Sequence, residues 1–348
     1  MLYFYTPPAI HDNWLHDCLG AILKDIHANV SAGSPLPDWP GIIPTQYQSR
    51  LVTRVGLRRK LSTYAEALSA LNGANRDRVL AAFNEENTIR KLLSCSCECE
   101  SIDKLPNAIR QPVKDLFAYS FSLLSPLGIR DKFYRFIFEG MPYRVCAFCG
   151  VEYFDPPGAP REPLDHYLAQ ARYPFAAANI KNLVPMGHKC NSKYKLSQDI
   201  LRKKNGDRRK SFYPYAAGAG VKITLSNSVP FNGKDGQMPH WRIEFRRSGE
   251  EVETWDEVFK IRERYARDIL DQDYKAWLND FGTWCRVRNV EVKTRASLLT
   301  ALREFAKYHE QLGLSDRSFL KAAVFRMLVR RCMRGDERLR QLLQDILQ

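Results

Sequence analysis

The sequence predicts a mainly helical α+β protein, and three observations lead to this prediction. Long stretches on both sides of the centre place apolar residues at helical spacing. Two short stretches, residues 221–225 and 241–245, alternate apolar and polar residues as strands do. A central stretch, residues 146–195, brings together cysteine, histidine, aspartate and asparagine residues. We expect a helical domain over 1–140, a central module over 141–215, and a small antiparallel sheet followed by helices over 216–348.

Helical patterning begins near the amino terminus. Residues 14–26 place Trp14, Cys18, Ile22 and Ile26 on one helix face, and Asp12 is available as a cap. Further helices are predicted over residues 51–71, 78–93, 106–124 and 131–141, with a proline-rich connector over 35–44 and a break at Asn72-Gly73. Cys95, Cys97 and Cys99 alternate, and alternate side chains on a strand point to opposite faces, which disfavours a second metal site there.

The carboxy-terminal third changes from strands to helices. Turn residues Asn232-Gly233 and Asp235-Gly236 separate the two alternating stretches, so we expect an antiparallel pair. Helices are then predicted over residues 255–270, 273–286, 295–312 and 318–334.

Composition limits the classes of function. The 348 residues are 45% hydrophobic, enough for a core, and a formal charge of +14 indicates a surface attracted to polyanions. Nine cysteines in a chain of this size do not form an obvious disulfide framework. No membrane segment and no signal-peptide pattern is evident, so we expect a cytoplasmic protein. The absence of a Walker-type phosphate loop means that any energy-dependent step would come from a partner.

The central stretch contains residue types suited to phosphodiester hydrolysis. Asp165 offers a carboxylate and Asn191 an amide oxygen, which are ligands that Mg²⁺ accepts. His166 can accept a proton near neutral pH. A histidine that draws a proton from water beside a phosphate-binding metal ion can hydrolyse a phosphodiester.

The order Cys-x-x-Cys, Asp-His, Asn-Leu and Cys-Asn followed by lysines resembles that of the HNH endonuclease family, over about fifty residues from Cys146 to Lys195. The resemblance implies a ββα-metal fold in which His166 ends the first strand. It implies that Asp165 and Asn191 hold a catalytic Mg²⁺ or Mn²⁺ ion, that His166 is the general base, and that Asn182 pins the intervening loop. The helix would open near Asn191.

Four residues form the candidate structural zinc site: Cys146, Cys149, Cys190 and His188. The position at which HNH zinc knuckles usually carry a third cysteine is Gly187 here, and His188 is the nearest substitute. Zinc accepts mixed thiolate and imidazole ligands. The lysine usually found three residues after the final asparagine is also displaced, because Tyr194 stands there.

A basic segment follows Asn191. Its members Lys193, Lys195, Arg202, Lys203 and Lys204 are predicted to contact the nucleic-acid backbone without reading sequence.

We therefore expect a metal-dependent HNH endonuclease that nicks or cuts DNA. The chain resembles nuclease subunits of bacterial anti-phage systems, which implies antiviral defence and a partner such as an ATPase or another defence subunit. Homing and restriction enzymes share the core motif. Two other classes stay open at this point: a zinc-stabilised nucleic-acid-binding module without catalysis, and a scaffold whose basic surface binds an acidic protein.

Overall fold

The computed structural model describes residues 1–6, 10–159, 164–232 and 238–347. Helices make up 57% of the structure and strands 5%, which confirms the mainly helical α+β class. The chain divides into two compact units. The amino-terminal unit comprises residues 4–142 and 154–218, and the carboxy-terminal unit comprises residues 1–3, 143–153 and 219–348. The three sequence-based domains stay a prediction.

The amino-terminal unit begins with helices that bury the predicted apolar faces. The helices are α1 (Trp14–Ala32), α2 (Thr45–Leu51), α3 (Val55–Ser69), α4 (Gly73–Glu86), α5 (Ile89–Leu93), α6 (Asn107–Ser122) and α7 (Ile129–Gly140). The break at Asn72 is confirmed, because its side chain accepts a hydrogen bond from the backbone N–H of Asn75 and caps α4. Residues 95–99 follow α5 as irregular backbone.

The predicted cap of α1 is wrong. Asn13, and not Asp12, occupies the N-cap position, and its side chain makes no capping hydrogen bond. Asp12 instead forms an exposed ion pair with Lys132 of α7. The reason is that α1 begins at Trp14, so Asp12 lies one position before the cap. The Asn13 amide makes no capping bond because it contacts the loop that ends at Asn182.

Two short strands and a helical turn complete the amino-terminal unit. Strand β1 (Leu164–His166) pairs antiparallel with β2 (Leu183–Pro185), so that His166 lies opposite Leu183. The helical segment Cys190–Lys195 follows β2 and has π-type hydrogen bonding. π turns are rare and occur frequently at functional sites.

The carboxy-terminal unit combines two small sheets with six α-helices and a π-helical segment, Tyr265–Leu270, among its described residues. Strand β3 (Ile223–Thr224) pairs with β6 (Glu244–Phe245), which confirms the antiparallel pairing, and β4 (Val229–Asn232) pairs with β5 (Met238–His240). Of the predicted turn residues, Gly233, Asp235 and Gly236 lie outside the described residues. The helices are α8 (Glu250–Phe259), α9 (Ile261–Arg264), α10 (Asp271–Val287), α11 (Arg295–Leu312), α12 (Ser318–Met333) and α13 (Glu337–Leu347).

Aromatic side chains form the core between the long carboxy-terminal helices. Phe281 of α10, Phe305 of α11 and Phe325 of α12 pack with ring centroids 4.6 to 5.4 Å apart. Helix α11 begins with a capping box between Thr294 and Ser297. The bounds predicted for α11 are confirmed at both ends.

The length and the apolar character of the helices decide whether one of them could cross a membrane. The longest, α1, has 19 residues, but Asp17, Lys24 and Asp25 interrupt its apolar character. Within the part of the chain that the structure describes, no helix is both long and apolar enough to cross a membrane.

Candidate active site and metal-binding cysteines

Asp165 lies on β1 and forms a buried ion pair with Lys195. The Lys195 Nζ atom is 2.8 Å from Asp165 Oδ2, and the two side chains are 1% and 12% exposed. The same Nζ donates a hydrogen bond to the backbone carbonyl of His166 at 2.8 Å. Burial raises the pKa of Asp165, and the Lys195 ammonium and the backbone N–H of His166 oppose that rise.

Lys195 is therefore not the surface phosphate contact that the sequence predicted. The cause is the π turn, in which the backbone N–H of Leu196 donates to the carbonyl of Asn191 at 2.9 Å. A π turn closes with one residue more than an α turn. A lysine displaced by one residue in sequence thus still points from the turn of Asn191 toward β1.

His166 is held with one ring nitrogen committed to the backbone. Its Nε2 lies 3.0 Å from the carbonyl oxygen of Ala177, and the Phe121 ring packs against it at a centroid distance of 4.4 Å. A carbonyl can only accept a hydrogen bond, so Nε2 carries the proton and the neutral ring presents Nδ1 as its acceptor.

The surroundings of His166 favour the neutral ring. Its pKa is lowered to about 4: burial is the largest cause, the charges of Lys195 and Arg130 act in the same direction, and the hydrogen bond to Ala177 opposes them. At neutral pH the ring is therefore uncharged, and Nδ1 is its unprotonated nitrogen. Arg130, on α7, did not stand out in the sequence because it lies 36 positions before His166.

Asn182 makes the loop-pinning contacts that the resemblance implies. The side chain is fully buried; Oδ1 accepts from the backbone N–H of Leu168 at 2.7 Å, and Nδ2 donates to the carbonyls of Leu168 and Ala176 at 3.1 and 3.2 Å. Asn191 is half-buried at the start of the π turn. Its position on that turn places it on the element whose Lys195 contacts Asp165.

The loop between His166 and Asn182 also forms hydrogen bonds with side chains of other elements that the sequence did not indicate. Asn13 accepts from the backbone N–H of Ile180 at 3.0 Å and donates to the Asn179 side chain at 3.0 Å. Asn179 in turn donates to Asn87 at 2.9 Å. Asparagines at helix ends are common, so no sequence pattern distinguished these.

The Cys146–Gly150 turn in the carboxy-terminal unit is a tight hairpin. The backbone N–H of Cys146 donates to Glu152 at 2.8 Å, and that of Gly150 donates to Cys146 at 2.7 Å. Gly150 has a φ of 67°, which favours glycine. Tryptophan and tyrosine side chains of the same unit fix the turn: Trp255 Nε1 donates to the carbonyl of Phe148 at 2.8 Å, and the Tyr265 hydroxyl to that of Cys149 at 2.7 Å.

Three buried thiols form a group that could hold a metal ion such as zinc. The Sγ atoms of Cys146, Cys149 and Cys190 all lie within 4.8 Å of one another. In a tetrahedral zinc site with Zn–S bonds of about 2.3 Å the sulfur atoms would be about 3.8 Å apart, so small side-chain shifts suffice. Among the described residues Cys95, Cys97 and Cys99 belong to no such group.

The structure does not bring His188 into the thiol group. Its side chain is exposed, whereas that of Cys190 is buried. Residues 188 and 190 lie on one helical turn, and residues two apart on a helix do not face the same side. His188, the fourth zinc ligand expected from the sequence, therefore does not lie with the three thiols.

The predicted basic segment divides into three exposed lysines and two side chains, Lys195 and Arg202, that are held within the unit. Lys193, Lys203 and Lys204 are exposed. Arg202 is instead held by Glu98 at 2.7 Å and by the carbonyl of Gly206 at 3.1 Å. The lysines at 203 and 204 stand at a hairpin tip, because the backbone N–H of Lys203 donates to the carbonyl of Asp207.

Comparison with known proteins adds no relative. No family model, no curated protein and no solved structure matches this chain. Function is therefore inferred from the residues themselves and from the resemblance of their order to the HNH motif.

Proposed function

We propose that the protein is a metal-dependent endonuclease of the HNH type that hydrolyses phosphodiester bonds in DNA. One observation carries the proposal: the hydrogen bond from His166 Nε2 to the Ala177 carbonyl leaves Nδ1 unprotonated on the residue that follows Asp165 in strand β1. The antiparallel pair β1–β2 followed by the turn of Asn191 supports it, since this is the element order that the resemblance implies.

The residues present suit two kinds of metal ion. Asp165 and Asn191 offer the oxygen ligands that Mg²⁺ or Mn²⁺ takes, and the three buried thiols offer the sulfur ligands that Zn²⁺ takes. A divalent ion bound at Asp165 and Asn191 would neutralise charge on the scissile phosphate and on its leaving oxygen. Zinc at the cysteines would stabilise the fold.

The chain's own residues account for the proton transfer. His166 Nδ1 takes a proton from water as the water oxygen bonds to phosphorus, and the bond from phosphorus to the 3′ oxygen breaks. The products are a 5′-phosphate and a 3′ oxygen that takes a proton from solvent and becomes a 3′-hydroxyl. General base catalysis of this kind contributes about 10²- to 10⁴-fold. The contacts with Phe121 and Ala177 hold the ring in place for this step.

Charge supports nucleic acid as the substrate. The chain carries a formal charge of +14, and Lys193, Lys203 and Lys204 are exposed in the unit that contains His166. Such lysines position a phosphate backbone without reading its sequence. DNA as the substrate, a setting in anti-phage defence and a partner such as an ATPase subunit rest on the sequence resemblance alone.

Plasmid cleavage by the purified protein with Mg²⁺, Mn²⁺ or EDTA tests the proposal. We expect metal-dependent nicking or linearisation that His166→Ala lowers by at least about 10²-fold while DNA binding is retained. His11→Ala, which changes an exposed histidine of the same unit, is the matched control and should cut like the wild type. Full cleavage by His166→Ala would overturn the assignment.

A second candidate, a zinc-stabilised nucleic-acid-binding module without catalysis, is favoured by one observation. The Asp165 carboxylate is already neutralised by Lys195 at 2.8 Å, as a site without a catalytic metal ion would require. Isothermal titration of Mn²⁺ into wild type and Asp165→Asn distinguishes the two. Binding that the substitution abolishes supports the nuclease, and DNA binding without any Mn²⁺ binding supports the second candidate.

A further inference from the structure

Glu86, the last residue of α4, is a fully buried acid with a specific backbone partner. Its side chain is 0% exposed, and its Oε2 accepts a hydrogen bond from the backbone N–H of Phe175 at 2.9 Å. The backbone N–H of Ala176 also stabilises the carboxylate, while burial raises its pKa well above the ordinary value. A buried acid is retained at a cost in stability, so its position calls for an explanation.

The backbone that Glu86 binds leads directly to His166. Residues Pro174–Ala176 form a short 3₁₀ turn, and the next carbonyl, that of Ala177, accepts the hydrogen bond from His166 Nε2. The turn is held on its N–H side by Glu86 and on its carbonyl side by Asn182, whose Nδ2 donates to Ala176 at 3.2 Å. The Ala177 carbonyl is thus placed by a side chain from α4.

We propose that Glu86 is a positioning residue for His166. It fixes the 174–176 turn so that the Ala177 carbonyl keeps the proton of the neutral ring on Nε2 and leaves Nδ1 as the base. The effect on catalysis rests on the proposed nuclease function, but the effect on the ring does not. Helix α4 is then part of the active-site scaffold, although Glu86 lies 80 positions before His166.

The chemistry of the carboxyl group indicates which variants test this role. Glu86→Gln keeps an oxygen that can accept from Phe175, Glu86→Asp keeps the carboxyl group but withdraws its oxygens by one methylene, and Glu86→Ala removes the accepting oxygen altogether. Glu85→Ala is the matched control, because it removes an acid from the same end of α4 that makes no such bond to the turn.

The test is the tautomer of His166, read from long-range ¹H–¹⁵N correlation spectra of protein labelled with [¹⁵N]histidine near neutral pH. The His166 signals are assigned by their loss in His166→Ala. We expect the Nε2-protonated form in the wild type, in Glu86→Gln and in Glu85→Ala, and a mixture of both tautomers in Glu86→Ala and Glu86→Asp. A single Nε2-protonated form in both of these last variants would overturn the proposal. Glu86→Asp keeps the test decisive where the alanine variant does not fold.

Kinetics of plasmid cleavage provide the second measurement. A positioning role predicts that Glu86→Asp lowers kcat by about 10- to 100-fold with an unchanged KM for DNA, and that Glu86→Gln restores most of it. The two proposals fail separately. If the Glu86 variants change the tautomer but the wild type cuts no DNA, the role of Glu86 stands and the nuclease proposal fails. If the wild type cuts DNA but the Glu86 variants keep the tautomer, the nuclease proposal stands and the role of Glu86 fails.

Discussion

The Cys146–Gly150 turn and the longer loop between His166 and Asn182 both carry or adjoin predicted site residues, yet they are fixed in different ways. The turn is closed by backbone hydrogen bonds between residues four to six positions apart, and Gly150 has the φ that this geometry requires. The loop is fixed by buried amide and carboxyl side chains, including Asn13 and Glu86 from helices far away in sequence.

The difference teaches which kind of change each segment tolerates. A turn closed by local geometry depends on its own residue types, so a substitution within it acts directly. A loop held by buried polar groups depends on every partner being present, because a buried polar group left unpaired costs about 1–3 kcal/mol. Four predictions, from the largest expected effect to the smallest, test this contrast.

Loss of a cysteine from the thiol group should have the largest effect. Structural zinc sites contribute folding energy directly, so we expect Cys146→Ser to lose most of about one bound zinc per chain and to unfold at a clearly lower temperature. Metal analysis and thermal melts measure both quantities. Cys95→Ser, outside the thiol group, is the control. Unchanged zinc content and melting in Cys146→Ser would remove the metal site from the account.

Asn182→Ala removes the buried amide. We expect it to destabilise the amino-terminal unit by about 3–4 kcal/mol, because three backbone groups of Leu168 and Ala176 lose their partner. Asn182→Asp should cost a similar amount, since a carboxylate would face two carbonyls. Urea unfolding of both variants gives the free energy. A loss below about 0.5 kcal/mol would show that the loop does not depend on its buried polar contacts.

A side chain at Gly150 tests the local character of the turn. We expect Gly150→Ala to cost about 2–3 kcal/mol, since φ is 67° and a Cβ would stand 2.4 Å from Leu2 Cδ1 in the same unit. Gly73→Ala is the control: no atom lies within 4 Å of its Cβ position, and this position is helical. Equal unfolding free energies for the two variants would contradict the expected strain.

Loss of folding stability in acid should be the smallest effect. We expect it to come from buried polar groups such as His27, whose Nε2 atom lies 2.8 Å from the Tyr64 hydroxyl. Burial lowers the pKa of His27 from 6.5 to about 4. The unfolded chain therefore binds the proton first as pH falls, and stability is lost below pH 6.5 until the folded pKa is reached. At pH 5 the loss is on the order of 2 kcal/mol.

The pH series is run as urea unfolding of wild type and His27→Gln between neutral pH and pH 5. The variant keeps a group that can bond Tyr64 but does not titrate, so its stability should fall less steeply with acid. Parallel slopes for the two proteins would assign the acid sensitivity to other groups.

Much of the architecture follows from the sequence alone. Apolar spacing at period 3.6 predicted the observed bounds of α11, Asn72-Gly73 marked the break before α4, and period-two alternation indicated the β3–β6 pair. These succeed because helix faces, caps and strand alternation are set by residues within a few positions of each other. The order of cysteine, histidine and asparagine in the centre also identified the segments that carry the candidate site.

The partners of the site residues were decided only by the tertiary structure. Lys195 lies in a basic segment and was therefore predicted to be at the surface, but the π turn buries it against Asp165. Arg202 forms an ion pair with Glu98, and the His188 side chain is exposed to solvent. Glu86 accepts a hydrogen bond from the turn that precedes Ala177. Sequence spacing cannot encode such contacts, because burial and pairing of polar groups depend on which distant elements fold against them.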